Sequence, residues 1–207
     1  MIDFFLESYK NAPLWHIALE FLVFVFGILS VWFAKKENIL VYPTGLIATV
    51  ISVYLLYVAG YIGDMIINGY FSIMSIYGWY VWGRGGAVED NLPITRTNFN
   101  EKIIGAVLFL VTVFVVFGIY KYFDYEIHND NYVDMISSGI FFAGMWYMAR
   151  KKIENWTLWI IGDIIVVPLY AYRGLGMLSL QYLIFTILAI SAYLEWRKIL
   201  DSKKQLS

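Results

Sequence analysis

Long apolar stretches separated by short polar segments recur along the whole chain. A membrane-spanning helix needs about 20 mostly apolar residues, and the pattern predicts seven such helices. The predicted spans are residues 14–34, 39–59, 64–83, 103–122, 133–149, 155–171 and 175–196. The polar segment after the third span contains turn-forming residues and predicts a linker. We therefore expect three units: an N-terminal three-helix bundle (1–83), a linker with a connecting fourth helix (84–132), and a C-terminal three-helix bundle with a tail (133–207).

The composition places this all-α chain in a lipid bilayer. Of its 207 residues, 60% are hydrophobic and 15% are charged, whereas soluble domains average about 45–50% apolar and about 25% charged residues. The sequence has no cysteine and two histidines, His16 and His128, which excludes disulfides, thiolate chemistry and cysteine-ligated metals. We predict no metal site and no cofactor. The first residues lack a basic region followed by a cleavage site, so we expect no cleaved signal peptide.

The distribution of basic residues predicts the orientation of the chain. Twelve of the 15 Lys and Arg residues follow the first, third, fifth and seventh spans. Cytoplasmic loops carry the excess of Lys and Arg, so these four spans are predicted to end inside the cell. We expect a multi-pass protein of the inner membrane with its N-terminus outside and its C-terminus in the cytoplasm.

Shifting the sequence by 117 positions superposes several residues and indicates an internal repeat. The superposed residues are Glu37-Asn38 on Glu154-Asn155, Gly45 on Gly162, and Trp79 on Trp196. Three spans, one connecting span and three more spans give both halves the same direction. This is the parallel repeat of some small transporters, which bind substrate between the halves. Two unrelated bundles with similar helix-start residues are the alternative.

The sixth span carries the most distinctive chemistry of the chain. Asp163 lies near its middle, where an ionisable group costs about 2.5–3.5 kcal/mol and is usually retained for a ligand or a pathway. At 3.6 residues per turn, Asn155, Trp159 and Asp163 form one stripe, with Trp156 beside it. An acid beside indole rings suits a flat cationic ligand. The alternatives are that the tryptophans anchor the helix at the membrane interface and that Asp163 hydrogen-bonds a neighbouring helix.

Three further polar residues within spans are candidate ligand contacts. Asn68 belongs to a polar stripe of the third span, and such groups either join helices or line a cavity. Gln181 lies in the seventh span. Glu20 is an acid of the first span, and the alternative to a ligand contact is that its side chain extends toward the membrane interface. The sequence has no nucleophile–base pair, phosphate-binding loop or metal-binding motif, so we do not predict an enzyme. The seventh span also has no lysine for a retinal Schiff base.

These residues resemble the PnuC family of vitamin-precursor transporters, and the similarity runs from the first span to the last. The matching segments are Asn155-Trp156-x-x-Trp159-x-x-x-Asp163, Val167-Pro-Leu-Tyr170, Arg173-Gly-Leu175, Glu20, Ser30-Val-Trp32, Tyr42-Pro43-x-Gly45 and Tyr77-Gly78-Trp79-x-x-Trp82-x-Arg84. The chain departs from the family pattern at Asn68, where glutamine is expected, at Ile160, where riboside carriers can have a hydrogen-bonding asparagine, and at Tyr42, where tryptophan is commoner.

The resemblance implies a 3+1+3 arrangement related to the SWEET and semiSWEET sugar carriers. It also implies facilitated diffusion of nicotinamide riboside, held between tryptophans of the sixth span, for NAD synthesis, with uptake made one-way by cytoplasmic phosphorylation. Some relatives carry thiamine instead, and the acid and the indoles do not decide between these two aromatic cations. The predicted partners are therefore this small-molecule substrate and the lipid bilayer. A homo-oligomer is left open, and nucleic acid is not expected.

Overall fold

Seven α-helices make up the computed structural model within the residues that it describes, 13–59, 62–83, 92–122 and 126–205, and no β-strand occurs in these ranges. The helices are α1 (Leu14–Lys35), α2 (Val41–Ala59), α3 (Ile62–Gly83), α4 (Phe99–Tyr122), α5 (Asn129–Ala149), α6 (Glu154–Tyr172) and α7 (Gly176–Gln205). The all-helical prediction is confirmed, with one helix for each predicted span. Residues 84–91 of the predicted linker lie outside the described residues.

Three helix ends lie away from the apolar boundaries, and two of them are set by polar caps. α4 starts one turn before its predicted span because Asn98 and Glu101 cap it, each accepting the other's backbone N–H at 2.9 Å. α5 also starts one turn early, where His128 and Asn131 make a capping box. α7 extends past its apolar run to Gln205. Polar residues near a helix end interrupt the apolar pattern of the sequence, although the helix continues through them.

The helices differ in how apolar they are. Five of those in the described ranges, α1, α2, α4, α6 and α7, are long and apolar enough to cross a membrane. The more polar helices α3 and α5 pack against each other, and α5 also contacts α4 and α6. α5 buries Ser137 and Ser138 among its apolar residues. A helix surrounded by other helices keeps such residues away from lipid, which accounts for its weaker apolar signal.

The helices form two groups of three. α1 packs on α2 and α2 on α3, while α5 packs on α6 and α6 on α7. We call the first group the N-terminal bundle and the second the C-terminal bundle. The two bundles meet along α1 and α7 and along α3 and α5. The boundary between them is therefore formed by these four helices.

α4 and the segment before it are attached to the C-terminal bundle. A Cβ on Gly139 of α5 would lie 2.7 Å from the Phe109 ring of α4, so the two helices approach closely at this glycine. The Thr95 N–H donates to the Lys151 carbonyl at 3.1 Å, and the Ile153 N–H donates to the Thr95 carbonyl at 3.0 Å. The described part of the connecting segment is therefore fixed to the loop between α5 and α6.

Four large aromatic residues, Tyr42, Trp82, Trp156 and Trp196, form a buried layer at the end of the molecule where α1, α3 and α5 end. We call it the aromatic layer. Tyr42 and Trp82 meet edge to face with ring centroids 5.1 Å apart, and Trp156 and Trp196 do so at 5.4 Å. The Trp82 indole donates to the carbonyl of the last residue of α5 at 3.2 Å, and the Trp196 indole donates to the carbonyl of the last residue of α1 at 3.1 Å. Each ring pair therefore donates a hydrogen bond to a helix end of the other bundle.

These contacts do not follow the register predicted for the repeat. Residues in matching contacts stand 114 positions apart, not 117. The pairs at this spacing are Tyr42 and Trp156, Trp82 and Trp196, Lys35 and Ala149, and Glu37 and Lys151, the last two residues having positive φ of 53° and 49°. Trp79, which the predicted register matched with Trp196, is 44% exposed. A shift of three residues stops only about 60° short of a full helical turn. Residues compared in the wrong register therefore still lie on similar helix faces, where chance identities are found.

Candidate functional site

Helix α6 carries four of the seven predicted site residues and is continuous through Pro168. Proline removes one helix N–H and disturbs the turn before it. Ser179 of α7 donates to the carbonyl of Val167 at 2.9 Å beside this proline. The contact fixes α6 to α7 on the C-terminal side of the site, and the predicted stripe of site residues is helical throughout.

Asp163 is a carboxylic acid in the interior of the protein. It is 1% exposed, and neither side-chain oxygen has a hydrogen-bond partner among the described residues. The neighbouring Gly162 allows close approach of α5, because a Cβ there would overlap the Phe141 ring. The hydrogen bond to a neighbouring helix, considered as the alternative, is thus not found in the described part of the chain. Buried polar groups are nearly always paired, so an acid without a partner among the described residues stands out in this structure.

Trp159 lies at the boundary between the two bundles. Its ring stacks on Phe141 of α5 with centroids 5.2 Å apart and 28° between the planes. Phe71 of α3 lies on the other side of the boundary, 6.1 Å from Trp159 and tilted by 50°. The indole N–H of Trp159 has no hydrogen-bond partner within the described ranges. The three rings therefore join both bundles and offer aromatic surface and one donor to a ligand.

Trp156 and Asn155 have different surroundings. Trp156 is 2% exposed and belongs to the aromatic layer, and Asn155 beside it is fully buried, with its Nδ2 donating to the Lys152 carbonyl. Along the helix, Trp156 and Asp163 are about 10 Å apart. The structure thus places Trp159 at the bundle boundary, Asp163 one turn further along α6, and Trp156 in the aromatic layer with Asn155 beside it.

The two predicted amide residues outside α6 lie on helices that form the bundle boundary. Gln181 is buried where α7 meets α1, and its Nε2 lies 3.0 Å from the position of a Cβ on Gly27. Asn68 is half-buried on α3. In the same polar stripe, Ser72 Oγ lies 2.8 Å from the Thr49 hydroxyl of α2 and 3.0 Å from the Asn68 carbonyl. The Ser72 part of the stripe therefore joins two helices of one bundle, whereas Gln181 contacts both bundles.

Glu20 differs from Asp163 because it has a local partner. Its carboxylate lies 3.3 Å from His16 Nδ1, one turn earlier on α1, and its side chain is 35% exposed. His16 Nδ1 has no hydrogen-bond partner among the described residues, so this i,i+4 contact is a close approach of two side chains and not a hydrogen bond. These surroundings favour the alternative considered for Glu20, extension toward the membrane interface.

The aromatic walls Phe71 and Phe141 were not predicted. Each is a phenylalanine in an apolar helix, and nothing in a single sequence separates such a residue from one that faces lipid or core. Gly162 was the available signal, because a glycine beside a buried acid indicates close approach by another group.

The described residues include no cluster of three or more His, Asp or Glu side chains that could hold a metal. An unpaired acid, ring faces and an amide at a bundle boundary are groups suited to binding.

Comparison with known proteins gives concordant results. The sequence profile of a family described as "Nicotinamide mononucleotide transporter" matches residues 17–198. The nicotinamide riboside transporter PnuC of Escherichia coli is 25% identical over 194 residues, which cover 82% of this chain and 81% of that protein. The riboflavin/roseoflavin transporter RibM of Streptomyces davaonensis is 25% identical over 128 residues, covering 59% of this chain and 58% of that protein. A crystal structure of the vitamin B3 transporter PnuC matches with a TM-score of 0.71 and 21% identity, over 89% of this chain and 82% of that one, and has the same fold.

Proposed function

The chain belongs to the nicotinamide mononucleotide transporter family, and from this premise we propose that it takes up nicotinamide riboside. It is a multi-pass membrane transporter and not an enzyme. The observation that carries the choice of a flat, cationic substrate is Asp163, a buried acid without a partner among the described residues. Among such cations we favour the riboside because similar proteins are named as nicotinamide riboside transporters. The pyridinium ring of nicotinamide riboside is flat and positively charged. It supplies the opposite charge that Asp163 lacks and a face for Trp159 to stack on.

Thiamine is the second candidate. It is also an aromatic cation, so it fits the acid and the rings equally well. Ile160, next to Trp159, is apolar and offers no hydrogen bond to a ribosyl hydroxyl, and this residue favours thiamine over the riboside. Riboflavin, which the name of the Streptomyces relative mentions, is neutral and would leave Asp163 without a counter-charge.

The proposed mechanism is passive. The two bundles rock about the substrate and expose it to one side of the membrane at a time. Because the ligand itself neutralises Asp163, no co-transported ion is required, and transport is facilitated diffusion. Phosphorylation in the cytoplasm then traps the riboside for NAD synthesis.

We assign the helices to a 3+1+3 parallel repeat, as in the SWEET carriers. The support is the pairing of helices: if α1, α2 and α3 correspond to α5, α6 and α7, the boundary contact between α1 and α7 corresponds to that between α5 and α3. The aromatic layer supports the same correspondence, because its two ring pairs make equivalent contacts 114 positions apart. The substrate then lies between the two repeats.

The proposed orientation follows the excess of basic residues. The ends of α1, α3, α5 and α7 face the cytoplasm, and the N-terminus lies outside the inner membrane. The aromatic layer is then on the cytoplasmic side of Asp163 and Trp159.

A binding experiment with matched ligands tests this function. Purified protein is titrated with nicotinamide riboside, its uncharged dihydro form, thiamine and riboflavin, with quenching of tryptophan fluorescence as the readout. We expect the charged riboside to bind at least about tenfold more tightly than the dihydro form, and riboflavin to bind weakly. Thiamine binding more tightly than the riboside would select the second candidate. Equal affinity for the charged and uncharged ribosides would refute the role of the acid.

A further inference from the structure

An ion pair lies within the aromatic layer and joins the two bundles. Lys151, which follows α5, contacts Glu37, which follows α1, with Nζ and Oε2 3.1 Å apart. The Lys151 side chain is 6% exposed, and its Nζ lies 4.4 Å from the centroid of the Trp82 ring. Lysine is almost never buried this deeply without a partner. The carboxylate of Glu37 and the indole face together account for its position.

Two more polar contacts join the bundles through the residues at the end of α1. Lys36 Nζ lies 2.8 Å from the Glu195 carboxylate of α7, and both side chains are at least one-third exposed. Lys35 Nζ donates to Ser191 Oγ of α7 at 2.7 Å. The polar contacts between the bundles thus include exposed side chains as well as the buried Lys151.

We infer that the aromatic layer and the Glu37–Lys151 pair form the cytoplasmic gate of this transporter. The inference rests on the proposed function and its orientation. Asp163 and Trp159 lie above the layer, and about 10 Å of helix α6 separates Asp163 from Trp156. A substrate bound there passes the layer on its way to the cytoplasm. The structure is therefore closed on the cytoplasmic side, and the Glu37–Lys151 contact separates when the gate opens.

The use of charge in this gate has a physical reason. Closing the gate removes most water from Lys151, which is 6% exposed, and part of it from Glu37, which is 30% exposed. This desolvation offsets part of the attraction within the pair, so an apolar contact at the same place would be comparably stable. When the bundles separate, however, Glu37 and Lys151 regain their hydration, while apolar side chains would be exposed to water. The ion pair therefore brings the closed and open states closer in free energy, as a gate that opens repeatedly requires.

The cysteine-free sequence permits a direct test that needs no substrate. Phe71→Cys places a single reporter thiol at the bundle boundary beside Trp159. Its labelling by a membrane-impermeant maleimide is measured from each side, in inside-out and right-side-out vesicles. The reporter is combined with Lys151→Glu, with Glu37→Lys and with both substitutions together. Arg197→Glu is the matched control, because Arg197 pairs within α7 to an acid one turn away and is 57% exposed.

Each single charge reversal is expected to raise labelling from the cytoplasmic side by about tenfold, the change that about 1.4 kcal/mol produces in a two-state equilibrium, and to lower labelling from the outside. The double reversal restores the ion pair but places a carboxylate instead of a cation over the Trp82 ring, so it should return both rates closer to the parent than either single reversal does. Arg197→Glu should change neither rate. Lys151→Met and Glu37→Gln serve as milder variants if a reversal does not yield monodisperse protein.

Two results would overturn the gate. One is unchanged labelling in the single variants. The other is a rise from both sides that the double reversal does not correct, which indicates local unfolding. Because no ligand is present, a wrong substrate assignment would leave this result intact, and failure of the gate would leave the ligand titrations intact.

Discussion

Asp163→Asn tests whether the buried acid serves the ligand or the fold. The substitution keeps the shape of the side chain and removes its negative charge. Asp163 is 1% exposed and has no hydrogen-bond partner in the described residues, so the substitution breaks no contact of the described structure. We expect the free energy of unfolding to change by less than about 1 kcal/mol, because burying a charge without a partner is itself unfavourable.

The expected loss of affinity follows from electrostatics. Two unit charges about 4 Å apart attract by about 4 kcal/mol at an effective dielectric constant of about 20. The ligand loses part of its hydration on entry, so we expect about half of this attraction, about 2 kcal/mol, to remain as affinity. Asp163→Asn should therefore raise Kd for nicotinamide riboside roughly 30-fold. The affinity for the uncharged dihydro riboside should change little, so the preference for the charged form should disappear.

Asp134→Asn is the matched control for this experiment. Asp134 is an acid of the same bundle, 13% exposed, with its carboxylate 3.5 Å from Arg173 Nη1. Its replacement should lower the free energy of unfolding by about 1 kcal/mol and leave Kd unchanged. Titration by tryptophan fluorescence and thermal unfolding in detergent give the two readouts. If Asp163→Asn destabilises the protein more than Asp134→Asn does and leaves Kd unchanged, the acid is structural and the reasoning is refuted.

Three further predictions concern packing and pairing. Gly162→Ala should lower the free energy of unfolding by about 1–3 kcal/mol, since its Cβ would overlap a ring of α5. The control is Gly118→Ala, which should be neutral or slightly stabilising because the space around Gly118 is open. Equal melting temperatures of these two variants would contradict the close approach at Gly162. Trp82→Phe and Trp196→Phe each remove one indole hydrogen bond to a helix-end carbonyl, so each should cost about 1 kcal/mol, and clearly unequal thermal shifts would argue against the 114-residue correspondence. Arg173→Gln removes the cation that contacts two acids of α5 and should cost about 1–2 kcal/mol without changing Kd, as thermal unfolding and titration in parallel would show.

The helices could be predicted from sequence because lipid imposes a length and a composition on every span. Asp163 could also be singled out, since an acid within an apolar helix is rare enough to stand out. The walls of the site could not be predicted, because Phe71 and Phe141 are ordinary residues of apolar helices until the packing of α3 and α5 brings them to Trp159. Trp156 illustrates the same limit: it shares a helix and a residue type with Trp159, and only the position of Trp196 shows that it packs in the aromatic layer.

The predicted register of the repeat differs from the proposed one for a related reason. The predicted register depended on identical residues, Glu-Asn pairs and a glycine, whereas the proposed correspondence rests on equivalent contacts between residues that differ. Tyr42 matches Trp156 because both pack against a tryptophan that holds the other bundle. Identity is a weak guide when two halves have diverged, while the geometry of equivalent contacts remains.

Glu37 and Lys151 occupy matching places after α1 and α5, with nearly the same left-handed backbone conformation and opposite charges. In a dimer of two identical three-helix chains, this position would carry the same residue in both copies, and like charges would repel where the ion pair now lies. A single chain that holds both bundles allows the two positions to evolve separately into an acid and a base. Under the proposed repeat, duplication and fusion thus make available a contact that symmetry forbids to a homodimer.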